Sequence, residues 1–166
     1  MLQLAWKQPV QGPPLTPSPL AAVFEQHHGL VFRTAYRMTG NAADAEDVLQ
    51  TIFLRLLRQE HTEMRQPESY LRRAAINASL DLIRDRSDQA AMPPDTAAPS
   101  EGGELRQELR QALAKLDPKH AEMFVLRYFE GHSNGEIAQM MGISSLLVAV
   151  TLHRTRARLQ KTISLS

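Results

Sequence analysis

The 166-residue sequence predicts an all-α fold of two small helical domains joined by a flexible linker, the second containing a helix-turn-helix. Three observations lead there. Apolar residues recur at spacings of three and four almost throughout, while glycine-bounded alternating runs are missing. Leu, Ala, Arg, Glu and Gln are abundant, and all are good helix formers. Residues 87–103, SDQAAMPPDTAAPSEGG, are rich in Pro, Ala, Ser and Gly with few large apolar side chains, the composition of a tether.

The elements follow in order. Residues 1–19 hold five of the ten prolines and no helical period, so a flexible leader is expected, with Trp6 free to dock elsewhere. They lack the basic start and hydrophobic block of a signal peptide, and no apolar run in the chain reaches membrane-spanning length. A cytoplasmic location without membrane insertion is expected. In the first domain, 20–86, Phe24, His27 or His28, Val31, Ala35 and Met38 share one helical face, which Gly40-Asn41 ends. Asn41 can cap a second helix that turns Val48, Leu49, Ile52, Phe53, Leu56 and Leu57 inward and Asp44, Asp47, Gln50, Arg55 and Arg58 outward. A third helix after Pro67 places Leu71, Ala74, Ala75, Ala78 and Leu82 inward, with Arg73, Asn77 and Arg84 along one outer stripe.

The second domain, 104–163, begins with helices over Leu105–Leu116 and Pro118–Phe129. Ser133 and Glu136 then form a capping box, Ile137, Ala138 and Met141 share a face, and Gly142 stands where a helix ends at positive φ. Another helix starts at Ser144. Ala138, Gly142 and Val148 supply the small residue, the turn and the buried anchor of a helix-turn-helix, whose second helix can enter a major groove.

Charge and chemistry narrow the function. The net charge of +1 conceals a basic surplus in the second domain, where nine bases face six acids over 104–166 and no acid follows Glu136. Arg154, Arg156, Arg158 and Lys161 suit a phosphate surface, although a plain helical hairpin is the alternative. Without cysteine there is no disulfide, thiolate nucleophile or sulfur-ligated metal. No two of the six histidines stand at i and i+4, and no carboxylate pair has convergent partners, so neither a cofactor nor an enzymatic activity is expected. The cluster Asp44-Ala45-Glu46-Asp47 fits a first helical turn, where carboxylates meet free amides, or a binding handle. The stripe of Arg73, Asn77 and Arg84, with Arg72 beside it, fits a solvated face or a nucleic-acid contact.

These pieces in this order resemble the small extracytoplasmic-function sigma factors of bacteria, which keep only the second and fourth conserved regions. FEQHHGLVFRTAYRMTGNAADAEDVLQTIFLRLL is similar to region two. The resemblance implies that Asp44, Glu46, Asp47 and Gln50 grip the clamp of the largest subunit of core RNA polymerase. PESYLRRAAINASLDLIRDR resembles the helix that opens the minus-10 element, with Tyr70 where the family usually has Trp and with Arg72, Arg73, Asn77 and Arg84 toward DNA. The loop from about Glu60 to Gln66 would help hold a flipped base. ALAKLDPKHAEMFVLRYFEGHSNGEIAQMMGIS is similar to region four, which seats on the polymerase flap and reads the minus-35 element. Ser144, Ser145, Ala149, Val150, His153, Arg154, Arg156 and Arg158 are the implied contacts.

One departure stands out. Where the family has basic and hydroxyl residues, this chain has Ala149 and Val150 within a run from Leu146 to Leu152. Leu146, Leu147 and Val150 exceed what the hairpin needs, so they either touch thymine methyls or bind protein, such as an anti-sigma partner or the first domain. The resemblance predicts a promoter-selecting subunit of RNA polymerase. A stand-alone helix-turn-helix regulator and a sigma-like adaptor without promoter readout are the alternatives.

Overall fold

In the computed structural model, residues 18–59, 64–89 and 103–165 are described. They form seven helices: α1 (Pro19–Thr39), α2 (Ala42–Arg58), α3 (Pro67–Gln89), α4 (Gly103–Ala114), α5 (Pro118–Tyr128), α6 (Asn134–Met141) and α7 (Ser145–Ser164). The expectations for Trp6, for the loop at 60–63 and for most of the leader and tether lie outside the described residues. At the edges of those segments, Ser18 caps α1, α3 runs on to Gln89 and α4 starts at Gly103.

Local chemistry sets the boundaries. Gly40 ends α1 at φ 78°, and the Asn41 side chain accepts the Asp44 amide N–H at the start of α2. Asp117 caps α5, whose first residue is Pro118. Ser133 and Glu136 bond reciprocally around the start of α6. Gly142 closes α6 at φ 68°, and Ser144 caps α7 through the Leu147 amide.

Two clusters of buried side chains organise the molecule. One lies among α1, α2 and α3 and contains Val31, Ala35, Val48, Ile52, Phe53, Leu56, Leu71 and Ala75. The other is built from α4 to α7, including Leu113, Leu126, Ile137, Val148, Leu152 and Leu159, but Met38 of α1 and Ile76 and Leu80 of α3 belong to it as well. The two halves therefore share a core. At 100° per residue, Leu71, Ala75, Ala78 and Leu82 fall on one side of α3, and Arg73, Ile76, Asn77, Leu80 and Arg84 on the other. Helix α3 is packed on both faces, so its arginine stripe looks toward the second half rather than out to solvent.

Two other orientations differ from expectation. Asp44 does not point away from the core: it is 3% exposed, because it continues the buried stripe of Val48 and Ile52 at spacings of four. Leu57 is 62% exposed, since it lies opposite that stripe. No single helix among the described residues is long and apolar enough to cross a membrane.

Candidate nucleic-acid interface

The helix-turn-helix is assembled by burial on one side only. Ile137 and Ala138 of α6 and Val148, Leu152, Thr155 and Leu159 of α7 are buried, and the two helices meet at 107°. The capping box also tunes a charge: hydrogen bonds from His132 and Ser133 hold the Glu136 carboxyl below the ordinary glutamate range. Glu136 Oε2 lies 3.2 Å from His132 Nδ1.

The rest of α7 faces solvent. Among the minus-35 candidates, Ser144 is committed to its cap, Ala149 is half-buried, and Ser145, Val150, His153, Arg154, Arg156 and Arg158 are exposed. None of these arginines has an ion-pair partner among the described residues, which leaves their charge for an external anion. Leu146 and Leu147 are 73% and 50% exposed.

The minus-10 candidates are in a different condition. Tyr70, in the first turns of α3, is exposed. Arg72 pairs with Glu130 and, at 3.0 Å, with Glu68. Arg73 pairs through Nε with Glu122 of α5 and donates from Nη1 to the Met140 carbonyl of α6 at 3.0 Å. Asn77 Nδ2 donates to the Arg73 carbonyl in its own helix. Arg84 donates from Nε to the Ala114 carbonyl at the end of α4, 2.8 Å away. The second half thus occupies the arginines that the resemblance assigns to DNA.

Glu122 and Glu130 carry that contact and were missed from the sequence. Their side chains are 4% and 1% exposed, and Glu130 also takes Arg37 of α1 at 3.1 Å. A buried carboxylate needs a cationic partner, and Glu122 sits amid apolar residues in AEMFVLRYF, which was the available signal.

The four candidates on α2 separate into two kinds. Asp44 accepts from the Asn41 side-chain amide at 2.6 Å and from Nη1 and Nη2 of Arg86, so it ties the start of α2 to the end of α3. Glu46, Asp47 and Gln50 are exposed, and the same outer line continues through Leu54 and Leu57, 52% and 62% exposed. Those two leucines were not foreseen as site residues. No group of three or more His, Asp or Glu able to hold a metal occurs among the described residues.

Comparison with known proteins agrees with the geometry. The family description Sigma-70 region 2 matches residues 23–89, and Sigma-70, region 4 matches residues 106–159. The chain is 33% identical over 150 residues to the ECF RNA polymerase sigma factor SigE of Mycolicibacterium smegmatis, covering 81% of this chain and 58% of that longer protein. It is 33% identical to the RNA polymerase sigma-E factor of Streptomyces coelicolor, covering 79% and 78% of the two chains. Identity to the RNA polymerase sigma factor CarQ of Myxococcus xanthus is also 33%, covering 84% and 86%. In fold it is similar to the sigma factor RpoE of Bartonella quintana, solved in complex with the anti-sigma factor NepR, at TM-score 0.51 and 19% identity over 86% of this chain and 95% of that one. Two sigma regions in order, each on helices whose caps, turns and charges suit its part, place this chain in the sigma-70 family, among the extracytoplasmic-function sigma factors.

Proposed function

We propose that this chain joins core RNA polymerase through the outer line of α2 and directs it to promoters, with α3 engaging the minus-10 element and α7 reading the minus-35 element. The supporting observation is the division of labour on α2. Asp44 is consumed by the fold, while Glu46, Asp47 and Gln50 stay exposed beside Leu54 and Leu57, a charged and apolar strip that no side chain covers among the described residues. Exposed leucines in line with acids form a protein-binding surface, because cap stabilisation alone leaves no reason for the apolar part.

Promoter opening requires α4–α7 to leave α3. In the closed arrangement Arg72, Arg73 and Arg84 spend their donors on Glu130, Glu122 and Ala114, and DNA phosphates would replace those acceptors. An anti-sigma protein that held the two halves together would keep the chain silent.

Run-off transcription with purified core enzyme tests the assignment. A discrete start site that depends on this chain is the expected result. Replacing Asp47 and Gln50 with Lys should weaken holoenzyme assembly at least tenfold, since a charged contact such as that of Asp47 contributes about 1.5–3 kcal/mol. Unchanged assembly would refute the polymerase handle, and DNA binding by the chain alone, with no effect of core enzyme, would favour a stand-alone regulator.

A further inference from the structure

We infer that Leu146 and Val150 are specificity-determining residues that read thymine methyl groups in the major groove of the upstream promoter element. The inference rests on the sigma-factor reading above. Along α7 the buried line of Val148, Leu152, Thr155 and Leu159 fixes the opposite line as the outermost one. At 100° per residue that outer line carries Leu146, Val150, His153, Arg154, Ala157 and Lys161 in turn. Its order is apolar at the N-terminal end and cationic toward the C-terminal end. In a helix-turn-helix the N-terminal residues of the second helix meet base edges, while residues beyond them approach the backbone.

The flanks agree with a groove rather than a protein. Arg156 and Arg158 fall on opposite sides of the outer line, where the two phosphate walls of a groove would stand. Methyl groups lie on the groove floor between those walls, and apolar side chains are their partners. No acidic residue follows Glu136, so a protein docking on Leu146, Leu147 and Val150 would meet cations on both sides of these aliphatic side chains. Leu146 and Val150 are 73% and 39% exposed, and Ala149 offers no hydrogen-bonding side chain. What remains for base discrimination on this stretch is Ser145 and methyl contact.

The test uses the full chain bound to core RNA polymerase. A pool of randomised duplexes is retained on the holoenzyme, and the enriched upstream sequences are remade with single thymines replaced by deoxyuridine, which removes the methyl and leaves the pairing edge intact. Enrichment of A·T pairs is expected, with retention falling about fourfold at each contacted methyl. In Leu146→Ala or Val150→Ala chains, one deoxyuridine effect should vanish while thermal unfolding stays unchanged, because both side chains lie outside the core.

Two results would overturn the inference: enrichment insensitive to deoxyuridine at every position, or sensitivity that survives both variants. Altered self-association of the variants with unaltered DNA selection would mark a protein contact and overturn it equally. If the chain fails to bind core enzyme at all, the sigma-factor reading falls, and the same duplex comparison on the free chain decides the methyl contact alone.

Discussion

Asp44 shows how one residue type divides between fold and function. It lies two and three residues from Glu46 and Asp47, yet its carboxylate is buried against Arg86 while theirs meet solvent. Removing Arg86 leaves a buried charge held only by Asn41, so Arg86→Ala should lower stability by about 1–3 kcal/mol. The figure stays under the full cost of an orphaned ion because about half of Arg86 is in solvent. Chemical denaturation checks it, and a loss no larger than that of Asp47→Ala would contradict the role. The signal for Asp44 lies in its period, since 44, 48 and 52 fall on one helical face, whereas the composition of the acidic cluster points outward. Glu136 makes a second test. Its carboxyl is held low by the bonds from His132 and then Ser133, so its contribution is complete above the ordinary glutamate range near 4.3 and fades only as pH falls through the lowered value. An NMR titration should give a midpoint below that range, and Glu136→Gln should remove this part of the acid dependence of unfolding.

At the level of elements, what was legible depended on whether a helix had one buried face or two. The ends of α1 and α6 and the starts of α2, α5, α6 and α7 were readable because Gly40, Gly142, Asn41, Pro118, Ser133 and Ser144 each suit a backbone condition that few residues meet. Helix α3 misled for the opposite reason. Ile76 and Leu80 share a side with Arg73 and Arg84, and pairing long arginine stems with apolar neighbours looks like a solvated face until a second half covers it. On α2, the apolar character of Leu57 predicts an inward position, whereas its angular position puts it beside Gln50. Leu57→Ser should therefore change folding stability by less than about 0.5 kcal/mol while weakening binding to core polymerase. Calorimetry on the free chain, together with a competition assay for core enzyme, separates the two effects.

Over the whole molecule, the closed arrangement decides which surfaces are on offer. Glu122 and Glu130, both nearly inaccessible, hold Arg73, Arg72 and Arg37, and the shared core of Met38, Ile76 and Leu80 backs them. Replacing both acids with Gln keeps the shape but removes the ionic clasp, and at residue 130 leaves one acceptor oxygen for two guanidinium donors. The doubly substituted chain should open, seen as a longer α2-to-α7 distance by fluorescence energy transfer and a larger hydrodynamic radius, with faster assembly into holoenzyme. An unchanged distance would show that apolar packing alone keeps the halves together. The same closure has a consequence in time. The cations of α7 are uncovered while those of α3 are spoken for, so under the proposed function groove reading and strand separation are successive events, the second waiting until the two halves part.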